Sequence, residues 1–119
     1  GRTMAFAMVE TRAAVDALDD ILDVPGIDGI FLGPSDFSIA WSEGRTVDST
    51  LEDMMETVAW VAARSREAGK QAAIFIVDPA ISGRLAAMGY RLLAMGSEHG
   101  LIARGAAALL ADVKKSLRA

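Results

Sequence analysis

The sequence predicts an α/β fold built on parallel strands, and three observations carry that reading. Short apolar runs alternate with longer segments of helical periodicity, in units of roughly 30 residues, the size of a βα repeat. Runs such as Ile30-Phe31-Leu32 and Ala72-Ala73-Ile74-Phe75-Ile76 show little polar alternation, as strands covered on both faces do. Each run closes on a turn former or a carboxylate: Glu10-Thr11, Gly33-Pro34, Asp78-Pro79 and Gly96-Ser97. Strands separated by helices imply a parallel sheet with right-handed crossovers.

Taken in order, Thr3 to Val9 reads as a buried strand ending at Glu10. Thr11 caps the helix that follows, where Val15, Leu18 and Leu22 share a face and Asp16, Asp19 and Asp20 point to solvent. Pro25-Gly26 stops that helix, and Gly29 to Leu32 forms the second strand. A short helical turn, Phe37 to Trp41, leads into a polar connection, Ser42 to Ser49. A capping box, Ser49 with Glu52 or Thr50 with Asp53, opens a long helix with an apolar stripe of Leu51, Met54, Met55, Val58 and Ala62. Arg64 and Arg66 fill its last turn, and Gly69 supplies a left-handed cap. Gln71 to Val77 is the third strand, and Asp78-Pro79 starts a helix reaching Met88 and Gly89. Arg91 to Met95 is the fourth strand. The last helix, Leu101 to Leu117, is expected to bury Ile102, Ala106, Leu109, Leu110, Val113 and Leu117. Lys114, Lys115 and Arg118 complement the dipole at its C-terminal end.

Composition narrows the function classes. The 119 residues suffice for one domain with a core, and 52% hydrophobic with 24% charged residues excludes a disordered chain. A net charge of −4 and a pI near 4.9 point away from nucleic acid or an anionic membrane as partner. Without cysteine there is neither a disulfide nor a thiolate metal site, which leaves oxygen or histidine ligands. The run from Ala72 to Val77 is far too short to cross a bilayer, and no basic-then-apolar leader opens the sequence, so a cytoplasmic protein is expected. Gly1, in place of Met, with a strand starting almost at once, reads as a cut end.

Four βα units make half of a (β/α)8 barrel, which takes ~250 residues, or else a small open sheet. Either way the chemistry belongs at the C-terminal ends of the strands. Glu10 ends the first strand and Asp36 follows the second. If those strands are neighbours, about 4.8 Å apart, the two carboxylates can share one small cation. Mg²⁺ or Mn²⁺ suits such an all-oxygen pair. The competing reading is that both residues cap helices or pair with bases, and spacing alone weighs the two equally. Backbone amides at Ser35, Asp36 and Phe37 would form an anion nest beside the metal, fit for a carboxylate next to a carbonyl. His99, the one histidine, reads as a surface residue. Trp41 and Trp60 read as packing residues, with Trp41 a possible wall of the pocket. The sequence holds no Ser-His-Asp set, phosphate-binding glycine loop or redox motif.

The runs Met8-Val9-Glu10-Thr11-Arg12-Ala13-Ala14-Val15 and Val24-Pro25-Gly26-Ile27-Asp28-Gly29-Ile30-Phe31-Leu32-Gly33-Pro34-Ser35-Asp36-Phe37-Ser38 resemble the HpcH/HpaI aldolase family. Ala68-Gly69-Lys70 and Ala94-Met95-Gly96-Ser97 fit as well. These are class II, metal-dependent pyruvate aldolases, and the resemblance covers essentially the whole chain. It implies that residues 1–119 form a single partial TIM-barrel domain, the C-terminal half of a (β/α)8 barrel. Glu10 and Asp36 match the family's metal ligands for Mg²⁺ or Mn²⁺, with Co²⁺ a third candidate. Gly33, Pro34, Ser35 and Asp36 match the loop that binds the pyruvate carboxylate, and Phe75 a position near the aldehyde. The implied reaction is retro-aldol cleavage of a 4-hydroxy-2-oxoacid to pyruvate and an aldehyde.

The implied assembly is a homo-oligomer, a hexamer in the family, with the last helix on a neighbouring subunit. The family's base histidine and its arginine lie in the N-terminal half, so no proton-transfer residue is expected within this chain. Met8 stands where many relatives carry glutamine. Two other functions remain in play: a non-catalytic α/β module that binds metal or 2-oxoacid, and a lyase of the citrate lyase β-subunit or malyl-CoA type.

Overall fold

Main-chain pairing decides the architecture. In the computed structural model of the chain, which describes residues 3–118, β1 (Phe6–Val9), β2 (Gly29–Leu32), β3 (Gln71–Ile76) and β4 (Leu92–Met95) join in one sheet. The strands lie in chain order and every pair is parallel. The helices α1 (Arg12–Asp16), α2 (Leu18–Asp23), α3 (Pro34–Trp41), α4 (Met55–Glu67), α5 (Ser82–Met88) and α6 (Glu98–Arg118) fill the connections, as the βα rhythm predicts. Differences are local. The first strand begins at Phe6 instead of Thr3, and the first helix breaks at Ala17 into α1 and α2.

The register explains which side chains form the core. Val9, Leu32, Ile74 and Leu93 align across the sheet, and the first three are buried beneath the helices. Leu18 and Leu22 of α2 and Met55, Val58, Val61 and Ala62 of α4 pack against that face. Met8, Phe31, Ala73 and Leu92 form the neighbouring row, whose side chains point to the other face of the pleat. There the cover is incomplete: Ala73 is buried, but Met8 is 55% and Leu92 47% exposed, and Phe31 is half-buried. The expectation of strands covered on both faces therefore holds for one face only among the described residues.

Polar groups end the elements where the sequence leads one to expect, with one exception. Thr11 Oγ1 accepts from the Ala14 amide at 3.1 Å, and Gly69 and Gly89 take positive φ at the ends of α4 and α5. No capping box forms ahead of α4. Asp48 Oδ1 instead accepts from the amide and hydroxyl of Thr50, and Glu52–Met54 makes a 3₁₀ turn into the helix. Asp19 does not simply face solvent, because its carboxylate pairs with Arg64 at 2.7 Å.

The last helix departs most from expectation. Ile102, Leu109, Leu110, Val113 and Leu117 are all more than half exposed, and no residue of α6 is buried. The amphipathic pattern is present, but beyond Leu101 the stripe has no cover among the described residues, and the molecule measures 61 × 42 × 23 Å. Among the described residues, no helix is long and apolar enough to cross a membrane.

Tyr90, placed between α5 and β4, is 2% exposed and donates its hydroxyl to the Val58 carbonyl at 2.8 Å. Burial pushes its pKa well above the ordinary tyrosine value. The folded state therefore holds the neutral phenol. Above about pH 10 the unfolded chain releases that proton and the folded one keeps it, so stability falls as pH rises through that point. Urea unfolding should show this decline, and Tyr90→Phe should flatten it while costing about 1 kcal/mol at neutral pH.

Candidate functional site

Two strand ends bring the site together. Because Val9 is in register with Leu32, Glu10 and Gly33 leave the sheet side by side at its C-terminal edge. The Gly33 amide donates to the Val9 carbonyl at 3.1 Å, which carries the pairing one step past the strand. Glu10 then lies against Gly33. A methyl group at residue 33 would sit 2.7 Å from Glu10 Oε2 and 3.3 Å from its Cβ. Close approach, not an unusual φ, is what favours glycine here, since φ is −96° and a side chain at residue 33 would have to push the Glu10 carboxylate aside.

Pro34 follows as the first residue of α3, where its missing N–H costs nothing and its fixed φ suits the helix. The Phe37 amide bonds back to the Gly33 carbonyl at 2.9 Å. The amides of Ser35 and Asp36, in the first turn, have no intrahelical acceptor, and they sit at the positive end of the helix dipole. Neither Ser35 nor Asp36 caps the helix with its side chain, and the cap of α1 is Thr11, not Glu10. Among the described residues Glu10 and Asp36 form no ion pair or hydrogen bond. The reading in which they merely cap or neutralise has no contact to support it.

Three residues that the sequence reading did not single out hold this loop in place. Ser38, fully buried, donates to the Ser35 carbonyl at 2.6 Å and accepts from the Asp48 amide at 2.9 Å. Ser42 ties residues further along: its Oγ accepts from the Thr46 amide at 3.0 Å. Arg12, two residues past Glu10, reaches the opposite end of α3. Its Nη2 donates to the Trp41 carbonyl at 2.6 Å and its Nε to Ala40 at 3.3 Å, with the guanidinium 4.5 Å from the Trp41 ring centroid. A cation on the C-terminal carbonyls complements the dipole there. Trp41 is thus engaged by Arg12 and by Phe37, 5.7 Å away between ring centroids, and does not line the pocket. Such contacts join distant positions and leave no local signal in the sequence.

All the expected site residues share one cleft of about 400 Å³. Glu10, Gly33, Pro34, Ser35 and Asp36 line it, Phe75 closes it from the end of β3, and Met8 and Phe31 reach it from the bare sheet face. His99 lies apart, exposed in the first turn of α6 with Nε2 3.4 Å from Ser97 Oγ. The residues present fit a small hard cation. Two carboxylates with no partner among the described residues line one cleft, Gly33 leaves room for one of them, and both offer hard oxygen donors, with the soft Met8 thioether beside them a poor ligand for such an ion. No group of three or more His, Asp or Glu side chains suited to a metal occurs among the described residues, so water and substrate would complete the coordination.

Comparison with known proteins adds identity to this geometry. A family model described as HpcH/HpaI aldolase/citrate lyase matches residues 1–105. The chain is 43% identical over 106 residues to a hydroxypyruvate/pyruvate aldolase of Roseovarius nubinhibens, covering 89% of this chain and 40% of that protein. It is 35% identical over 111 residues to a 4-hydroxy-2-oxo-heptane-1,7-dioate aldolase of Klebsiella pneumoniae, covering 89% and 39%. The crystal structure of an HpcH/HpaI aldolase/citrate lyase family protein from Burkholderia cenocepacia superposes with a TM-score of 0.83 at 28% identity, over 94% of this chain and 43% of that one. The chain thus spans about two-fifths of the length of these relatives. Its four parallel βα units match part of the larger (β/α)8 fold of these structural relatives.

Gly33→Ala should displace the Glu10 carboxylate and weaken Mn²⁺ binding by about tenfold or more. Titration with Mn²⁺ measures this, and an unchanged affinity would refute the close-approach argument.

Proposed function

Because this chain belongs to the HpcH/HpaI aldolase/citrate lyase family, we propose that it carries the metal- and oxoacid-binding part of a class II aldolase. The reaction is cleavage of a 4-hydroxy-2-oxoacid to pyruvate and an aldehyde, a carbon–carbon lyase activity. In this reading residues 1–119 are the C-terminal half of the barrel. One observation carries the proposal: Glu10, Asp36 and the open amides of α3 line a single cleft at the C-terminal edge of the sheet.

Each residue then has a task. Glu10 and Asp36 would hold a divalent cation, Mg²⁺ or Mn²⁺, with Co²⁺ also admissible. When bound, that cation supplies Lewis-acid polarisation of the keto oxygen and relieves the cost of negative charge on it. The Ser35 and Asp36 amides bind and orient the substrate carboxylate at the helix N-terminus. Pro34 and the Ser38 clamp keep those amides aimed, so little reorganisation is needed when substrate arrives. Phe75, Phe31 and Met8 exclude water on the apolar side of the cleft.

Proton movement needs groups from elsewhere. In cleavage a base takes the 4-hydroxyl proton, the C3–C4 bond breaks, and its electron pair stays with the pyruvate fragment. A proton then returns to C3. Among the described residues no histidine lines the cleft, and in this reading its two carboxylates hold the cation, so the histidine and arginine that the family resemblance implies would come from the rest of the barrel. This is the specific ground for a second reading, in which the chain by itself binds metal and 2-oxoacid without turnover. The exposed stripe of α6 supports a homo-oligomer in which that helix seats on another subunit, where its apolar area would leave water.

Mn²⁺ or Mg²⁺ together with pyruvate should raise the melting temperature, since a ligand that binds only the folded state stabilises it. Glu10→Gln and Asp36→Asn should each abolish the shift. If both variants keep it, the metal assignment is wrong. Pyruvate release from a 4-hydroxy-2-oxoacid should require the remainder of the barrel, and appreciable turnover by residues 1–119 alone would overturn the account of the base.

A further inference from the structure

The N-terminal ends of the strands hold a cleft that the chemistry above does not use. It opens where α4 gives way to β3 and α5 to β4, and its volume is about 460 Å³. Arg66, Lys70 and Arg91 line it, no Asp or Glu does, and Gln71 is its other polar side chain. Three cations thus gather on a chain whose net charge is −4. The acids closest to them in the backbone are engaged elsewhere. Glu67, adjacent to Arg66, is held by Arg64. Asp28, whose carbonyl takes the Gln71 amide, turns its carboxylate to the Ala5 amide.

The helix ends do not need these cations. At the end of α4 the carbonyls of Arg64, Ser65 and Arg66 already accept from the amides of Ala68, Lys70 and Gly69. At the end of α5 those of Leu85 and Ala86 accept from Tyr90 and Gly89. Arg66 and Arg91 form no ion pair or hydrogen bond among the described residues. Lys70 Nζ donates to the Val24 carbonyl at 2.9 Å, which pins the ammonium and leaves two of its three N–H groups. Arg66 Nη1 lies 3.8 Å from where a Cβ on Gly89 would be, so its guanidinium reaches across from α4 to the residue that ends α5, two positions before Arg91.

We propose that this cleft is a binding site for a phosphate-bearing anion, held by Arg66, Lys70 and Arg91. Like charges around one cleft repel each other, and a bound anion removes that cost. Two planar guanidinium groups and a point-charge ammonium, brought in by three separate segments, suit the several oxygens of a phosphate dianion better than a single carboxylate. The volume lies within the ~300–1,000 Å³ of small-molecule sites, so an organic group attached to the phosphate fits as well. All the contributing segments belong to this chain, and the cleft lies at the other end of the strands from Glu10 and Asp36. The site therefore depends neither on the aldolase reading nor on closure of the barrel.

The test is calorimetric titration of the full-length protein that contains this chain, stripped of metal with EDTA so that phosphate cannot bind through a cation. Inorganic phosphate is the probe, with chloride holding the ionic strength constant. The expected result is saturable binding with a Kd of about 1 mM, as a few solvent-accessible charge-assisted hydrogen bonds give. Arg66→Gln with Arg91→Gln should weaken it about tenfold or more, and Arg66→Lys with Arg91→Lys should keep part of it. Lys114→Gln with Lys115→Gln removes the same charge from the far end of α6 and should leave the affinity within about twofold. Because the two arginines repel, the glutamine pair should melt no lower than the unmodified protein without phosphate, and phosphate should raise the melting temperature of the unmodified protein alone. Glycerol 3-phosphate in place of phosphate distinguishes the sources: tighter binding identifies a phosphorylated metabolite as the ligand, and equal or weaker binding identifies free phosphate. No saturable binding, or binding that survives loss of both guanidinium groups, overturns the assignment. An equal loss in the Lys114 and Lys115 variant does so too, because net charge alone would then account for the effect.

Discussion

The placing of the Glu10 carboxylate in the space that a side chain on Gly33 would fill is the constraint around which the site is arranged. It exists because β1 and β2 pair in parallel with Val9 opposite Leu32, so two consecutive strand ends leave the sheet together. Slip the register by one residue and Val9 and Leu32 turn away from the helices while Glu10 moves off the glycine. The core and the cleft thus depend on one alignment. Burial of Val9, Leu32 and Ile74 holds that alignment, and the carboxylate is placed as a consequence.

The scaffold around that contact is polar and local in space but not in sequence. Arg12 neutralises the far end of α3 while Ser38 and Asp48 hold its first turn. The helix whose N-terminus lines the cleft is in this way fixed at both ends by segments on either side of it. None of these partners enters the cleft. Their role is to keep two amides and two carboxylates in a standing arrangement, which is where a binding site gains most from preorganisation.

The apolar surfaces left open are as informative as those that are closed. The row through Met8, Phe31 and Leu92 and the stripe along α6 are patterned like buried surfaces, yet solvent reaches them among the described residues. Exposed areas of this kind mark contacts with other protein. The relatives are more than twice as long as this chain, which agrees with a sheet meant to be closed by further strands. Of these residues, Met8 and Phe31 also line the cleft, so the open sheet face and the site adjoin.

Sequence alone determined a good deal. Apolar runs at βα spacing indicate four parallel strands without fixing their order, Gly33-Pro34 locates the turn, and Glu10 and Asp36, with Phe75 through the family resemblance, are expected at one site. These were legible because strand patterning, turn chemistry and family motifs are written in consecutive residues. Only the tertiary structure decided that the two carboxylates have no partner among the described residues, that Trp41 is held by Arg12 and not in the pocket, and that Asp48 replaces the expected capping box. It also reversed the expected burial of α6, since an amphipathic stripe says that a helix has a partner and not whether that partner lies in the same chain. Periodicity records what a side chain is suited to touch. What it does touch is fixed by long-range pairing, which one-dimensional spacing does not contain.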